Sequence, residues 1–199
     1  MIAILDYGMG NLRSVERAIA HVGGDAGITD DATTVASADA LVVPGVGHFG
    51  ACMGNLRERG LAEAVTMFAG TGRRVFGVCL GMQVLFDRSE EDDSPGLGLL
   101  EGGSRTLPSS VRVPHMGWNS VSWTETHPYV RGIPSGTSFY FAHSYAPDVA
   151  AGVTVGMTDY GRDFSAAVAK DNLFATQFHP EKSGQAGLAL YEAFVKEIG

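Results

Sequence analysis

The residues best suited to chemistry are a cysteine set between glycines and a histidine followed by a carboxylate. Cys79 lies in Val75-Phe76-Gly77-Val78-Cys79-Leu80-Gly81-Met82-Gln83, with Gly77 and Gly81 two residues away on either side. The apolar run before it predicts a buried parallel strand, and Leu80, Met82, Val84, Leu85 and Phe86 after it predict a helix. Strand, sharp turn and helix make a nucleophile elbow, with Cys where the hydrolase motif carries Ser. Such a turn crowds the backbone, so side chains two residues to each side must be absent, which glycine provides. At a helix N-terminus the free N–H groups and the macrodipole favour a thiolate over a thiol. A free cysteine without a base would read instead as a small buried apolar residue. The base is offered 179 − 79 = 100 positions later, in Leu173-Phe174-Ala175-Thr176-Gln177-Phe178-His179-Pro180-Glu181-Lys182. Phe174, Thr176 and Phe178 alternate with Ala175 and Gln177, which predicts a strand leading to a loop. His179 and Glu181, at i and i+2, share one face of an extended chain, and Pro180 holds His179 toward that geometry. A carboxylate can then hold one imidazole nitrogen while the other faces a thiol, which makes a nucleophile, a base and its orienting group.

The rest of the chain must position these groups. Ile2-Ala3-Ile4-Leu5 predicts a strand, followed by the loop Tyr7-Gly8-Met9-Gly10-Asn11 and an amphipathic helix carrying Leu12, Val15, Ala18, Ile19 and Val22. Gly8 and Gly10 invite a dinucleotide-binding reading, but Arg13 stands where the third glycine belongs and no acidic ribose ligand is clearly placed. Ala40-Leu41-Val42-Val43 predicts a second strand, running into Pro44-Gly45-Val46-Gly47-His48-Phe49-Gly50, whose glycines let backbone N–H groups turn toward a ligand. One helix is expected over residues 51–68, with Cys52 a structural residue lacking both elbow and base. The acidic stretch 89–95 reads as an exposed, solvated turn, since its spacing is not that of a calcium loop. Residues 96–123 break into short segments that read as antiparallel hairpins. Within them His115 is a second candidate base, set aside because no carboxylate sits at a matching offset. Strands are expected over residues 138–145, 153–157 and 164–169, and a last helix carries Leu188, Leu190, Tyr191, Phe194, Val195 and Ile198. The pattern predicts an open, mainly parallel, doubly wound α/β sheet with appended antiparallel hairpins and catalytic loops at the carboxyl ends of the strands.

Composition narrows the function classes. A length of 199 residues with 45% hydrophobic content is that of one domain, residues 1–199, with a sizeable core. A net charge of −8 argues against nucleic acid or an anionic membrane as partner. Two cysteines make no disulfide framework, and a catalytic thiol fits a reducing compartment. No leader pattern opens the chain and no apolar run approaches the roughly 18 residues of a membrane span, so a cytoplasmic location is expected.

The elbow and His179-Pro180-Glu181 together resemble the motifs of the triad-type (class I) glutamine amidotransferases. Asp6-Tyr7-Gly8-Met9-Gly10-Asn11-Leu12, Pro44-Gly45-Val46-Gly47, His115-Met116-Gly117-Trp118-Asn119, Tyr140-Phe141-Ala142-His143-Ser144-Tyr145 and His179-Pro180-Glu181-Lys182-Ser183 narrow the resemblance to the glutaminase subunits of imidazole glycerol phosphate synthases, over the whole chain. The resemblance implies a flavodoxin-like fold and an acyl transfer in which Cys79 attacks the carboxamide of glutamine. Backbone N–H groups of Gly45, Val46 and Leu80 would hold the oxyanion, His179 would protonate the leaving ammonia, and Glu181 would orient His179. It implies Gly47, Gln83, His143, Ser144 and Tyr145 as glutamine ligands, with no cofactor and no metal. It places Asn11, Trp118, Tyr140 and Lys182 toward a (β/α)₈ cyclase subunit in a heterodimer. That partner would use the ammonia to make imidazole glycerol phosphate and an aminoimidazole carboxamide ribotide in histidine biosynthesis. One departure is Gly184, which intervenes before Gln185 where the family commonly has Gln directly. Two other readings stand beside this one. The first is a glutaminase for another ammonia acceptor, such as pyridoxal phosphate synthase. The second is a catalytically silent regulatory module, against which the intact Cys79, His179 and Glu181 speak.

Overall fold

The computed structural model describes residues 1–198. The apolar N-terminal tetrapeptide is β1 (Ile2–Leu5), buried throughout. The amphipathic stretch after the glycine loop is α1 (Leu12–His21), which buries Val15, Ala18 and Ile19. There follow β2 (Ala26–Thr29), α2 (Ala32–Ser37), β3 (Ala40–Gly45), α3 (Phe49–Glu58), α4 (Leu61–Gly70) and β4 (Arg74–Cys79). Next come α5 (Leu80–Gln83), β5 (Phe86–Ser89), β6 (Leu100–Thr106), β7 (His115–Trp123), β8 (Thr137–His143) and β9 (Tyr145–Pro147). The chain continues through β10 (Thr154–Asp159), β11 (Asp163–Lys170), β12 (Leu173–Thr176), a 3₁₀ turn at Pro180–Lys182 and α6 (Gly184–Lys196).

Among the described residues, nine strands form one sheet in the order β2-β1-β3-β4-β12-β11-β10-β7-β8. The first five run parallel, and β11, β10, β7 and β8 extend the sheet antiparallel. Side chains alternate between the faces, so Ile2 and Ile4 join one core with α1 and α6 residues, while Ala3 and Leu5 join another with residues of α2, α3 and α4. This is the doubly wound arrangement. The pairing that matters for chemistry is β4 with β12: Thr176 lies opposite Val78, so the chains leaving both strands emerge together at the carboxyl end.

Several boundaries differ from those expected. The helix foreseen over residues 51–68 is two helices, α3 and α4, because Gly60 takes φ +68° between them. The helix after Cys79 is a single turn. Beyond it the carbonyls of Val84, Leu85 and Phe86 are taken by the N–H groups of Leu97, Leu99 and Gly98, so the chain leaves the helix for β5. A Cβ at Gly96 would lie 1.9 Å from the Phe86 oxygen, so only glycine permits this crossing. β6 forms no hairpin with β7 but a separate small sheet with β5 and β9. The strand expected over residues 138–145 is cut at Ser144, where the chain passes from the large sheet to the small one. The acidic stretch is not a free turn. Glu91 Oε2 accepts from Phe49 N at 2.7 Å, which places its charge at the N-terminus of α3.

Candidate active site

Cys79 ends β4 with φ +56° and ψ −110°, a backbone conformation uncommon for a residue with a Cβ. The flanking glycines explain how the chain tolerates it. A Cβ on Gly81 would lie 1.8 Å from the Val43 carbonyl oxygen, and one on Gly77 would lie 2.8 Å from the Gly81 oxygen and 3.0 Å from Ala175 Cβ. The bare backbones therefore let β3, β4 and β12 close tightly around the turn. Because α5 is one turn long, the thiol owes less to a helix macrodipole than the sequence pattern implied. Its own contacts are one backbone carbonyl and one side-chain amide. Cys79 Sγ lies 3.8 Å from Ala142 O and accepts from Gln177 Nε2 at 3.7 Å.

His179 follows β12 in an extended conformation (φ −99°, ψ 98°), and Glu181 then enters the 3₁₀ turn. The two side chains meet through that turn and not along one face of a strand. His179 Nδ1 donates to Glu181 Oε1 at 2.8 Å, with both side chains sealed from solvent. Burial disfavours an imidazolium here, but the Cys79 sulfur and the Glu181 carboxylate outweigh it and raise His179 above the ordinary histidine range. The backbone is held as well. His179 N donates to Tyr140 O at 2.9 Å, Ser183 Oγ donates to His179 O at 2.6 Å, and Tyr140 N donates to Ser183 Oγ at 3.0 Å.

Beside the sulfur lies a cavity of about 160 Å³. Val46, Gly47, Leu80, Gln83, His143, Ser144 and Tyr145 are among the residues that line it. A larger cleft, about 560 Å³ and lined by residues of β5 and β6, contains no nucleophile of this kind. Gly45 does not face the cavity. It pairs with Cys79 in the sheet, and a Cβ there would meet Tyr7 Oη at 2.6 Å and Gly81 N at 2.7 Å. Tyr7 itself donates its hydroxyl to the Pro44 carbonyl and so fixes the strand end before the loop.

The chain matches the family model described as glutamine amidotransferase class-I over residues 3–198. The chain belongs to that family. It is 45% identical over 196 residues to an imidazole glycerol phosphate synthase subunit HisH of Moorella thermoacetica, covering 97% of this chain and 93% of that protein. It is 48% identical over 191 residues to the protein of the same name in Symbiobacterium thermophilum, covering 95% and 90%. Among solved structures it resembles a glutamine amidotransferase with a TM-score of 0.77 at 20% identity, covering 98% of each chain. It also resembles a PurLQS structure from Thermotoga maritima with a TM-score of 0.75 at 20% identity, covering 100% of this chain and 98% of that one. These structural likenesses bear on the fold, which is that of the class-I amidotransferases.

Within this amidotransferase the remaining predicted residues fall into two groups. Gln83 is buried and braces the site: its Nε2 donates to Tyr145 O at 2.9 Å and to Gln177 Oε1 at 3.0 Å. His143 Nδ1 faces Tyr145 O at 2.8 Å, so that nitrogen carries the proton, and its Nε2 accepts from His115 Nδ1 at 3.0 Å. His115, stacked on Tyr160 with ring centroids 3.9 Å apart, therefore serves the packing behind the cavity. Burial lowers His115 to about 4 and His143 to about 3. Trp118, Tyr140 and Lys182 form an outward patch. Trp118 is 59% exposed, its ring stands edge-on to Tyr140 at 6.1 Å, and Lys182 Nζ lies 5.8 Å from the Tyr140 ring centroid. Asn11 is the N-cap residue of α1.

Three site residues escaped the sequence reading. Gln177 was only one member of a strand alternation, yet it bridges Gln83 and Cys79. Glu91 was lost in an acidic run, yet it walls the cavity. Ser183 stands in the sequence only as the end of the His179–Ser183 motif, yet it locks the His179 backbone. Nothing local in the sequence distinguishes the first two, since their roles arise from which strands and helices meet.

Proposed function

We propose that this chain is the glutaminase subunit of an imidazole glycerol phosphate synthase, acting as one domain in the cytoplasm. The observation that carries the reading is an elbow-borne Cys79 whose sulfur acts on His179, itself buried and bonded to Glu181 at 2.8 Å. Cys79 attacks the side-chain carboxamide carbon of glutamine. Negative charge builds on the amide oxygen, and the N–H of Leu80 with that of Val46 stabilises it. His179, charged at the start, gives its Nε2 proton to the departing ammonia. The resulting thioester is hydrolysed by water, with His179 as base, and glutamate leaves. Glu181 keeps the imidazole aligned in both halves of the reaction.

Gly47, Gln83 and residues 143–145 would hold the amino-acid end of glutamine. Glu91 suits the α-ammonium, because it is the carboxylate on the cavity wall. The names of the relatives, which are subunits, favour a partner. We assign the patch of Trp118, Tyr140 and Lys182, together with Asn11, to contact with a (β/α)₈ cyclase that consumes the ammonia in histidine biosynthesis. The test is glutamate release by the purified chain alone and with the cyclase loaded with its ligand, with mass-spectrometric capture of a glutamyl adduct on Cys79. Glutamate release without such an adduct, or none with the loaded cyclase, would refute the proposal.

A further inference from the structure

Glu181 uses one carboxylate oxygen on His179, and its other oxygen, Oε2, is buried and has no partner among the described residues. Tyr191, on α6, is fully buried, and its hydroxyl is in the same condition. A carboxylate oxygen lacks a donor and a phenol lacks an acceptor within one sealed region. Buried polar groups rarely stay unmatched, and each lost partner is unfavourable. The packing brings the two elements together. A Cβ on Gly187 would lie 1.9 Å from the Pro180 oxygen, so this face of α6 rests on the backbone of the 3₁₀ turn that bears Glu181. Tyr191 is four residues beyond Gly187, one helical turn along the same face. The Glu181 charge acts on Tyr191, where it adds to burial in raising the phenol.

The ring alone does not explain a tyrosine here. It packs against Phe76 of the nucleophile strand, 5.5 Å between centroids, and phenylalanine would pack equally well. We propose that Tyr191 is a positioning residue: its hydroxyl donates to Glu181 Oε2, directly or through one water, and so fixes the carboxylate plane. A carboxylate held at both oxygens cannot swing, so the imidazole it carries keeps its second nitrogen directed at Cys79. The inference rests on the glutaminase reading of the site. It adds a fourth member behind nucleophile, base and orienting carboxylate.

The test is a double-variant cycle in the complex with the cyclase, with Tyr191→Phe made in the native background and in Glu181→Ala. In the native background we expect a kcat loss for glutamine of roughly three- to tenfold. KM and ammonia-dependent turnover should stay within about twofold, since the cyclase centre is untouched. In the Glu181→Ala background the same change should do nothing further, because the group through which Tyr191 acts is gone. Equal losses in both backgrounds would make the effect one of general packing and overturn the proposal, as would no loss in the native background. Thermal midpoints of all four proteins separate folding from function. If the unmutated complex lacked glutaminase activity, the functional reading itself would fail, a result distinct from an inert Tyr191→Phe.

Discussion

In the proposed reaction Cys79 is the residue on which the chemistry turns, so its removal gives the cleanest test. Cys79→Ala should abolish glutamine-dependent synthesis yet leave ammonia-dependent synthesis by the complex, since the cyclase needs only ammonia. Comparing the two substrates decides it, and normal turnover of glutamine by the variant would refute the assignment. His179→Ala should be nearly as damaging, because nucleophile and base act as a unit, whereas Glu181→Ala should lose less. A larger loss in kcat for Glu181→Ala than for His179→Ala would reverse these roles. A separate prediction concerns acid. In the unfolded chain His115 and His143 would take protons near pH 6.5, while in the folded protein they refuse them until about pH 4 and 3. Below pH 6.5 the unfolded state binds more protons, so this contribution is full above that pH and is lost as pH falls toward 4 and 3. The slope is at most about 1.4 kcal/mol per group per pH unit. His179, raised by its partners, works in the opposite sense. Urea midpoints measured from pH 7 to 5 should therefore fall less steeply in His115→Phe than in the native protein. The triad was legible because glycine spacing and the His-Pro-Glu offset are local signals. Gln177 and Glu91 were not, because their meaning depends on pairing across the sheet.

The glycines of the elbow make a prediction for an element. Gly81→Ala drives a methyl into the Val43 carbonyl, so β3 and β4 must separate, at a cost of about 1–3 kcal/mol or more. Thermal melting should show it, and an unchanged midpoint would contradict the packing. The loop over residues 44–47 needs more care. A side chain at Gly45 collides with Tyr7 and Gly81, so a variant there reports on the nucleophile turn as much as on the loop. Gly47, at φ +103°, is the better probe of whether the loop's backbone N–H groups serve the reaction. Glu91→Ala removes an acceptor at the start of α3 and the carboxylate on the cavity wall. KM for glutamine should rise roughly tenfold or more, with a small fall in melting temperature. If melting fell while KM held, Glu91 would serve the helix alone. Strands with continuous apolar runs were readable from the chain. The helix breaks at Gly60 and Val84 and the strand break at Ser144 were not: Gly60 turns on its own φ of +68°, while the carbonyls of Val84 and Ser144 are claimed by the distant N–H groups of Leu97 and Leu107.

At the scale of the molecule, the outward patch predicts how the protein meets its partner. Lys182→Ala should weaken complex formation or blunt activation of the glutaminase, and measuring the two separately shows which. No change in either would leave Lys182 an exposed lysine of little consequence. The sheet order holds one more implication. β12, formed by Leu173–Thr176, sits between β4 and β11. On a ribosome, β1 to β4 emerge first and can pair among themselves, while β4 presents an open edge beside the cysteine until the chain is almost finished. His179 and Glu181 arrive with that late strand. A nascent chain therefore carries the thiol without its proposed base until that strand is made. A chain stopped before residue 173 should expose the β4 edge and aggregate, as light scattering or sedimentation would show.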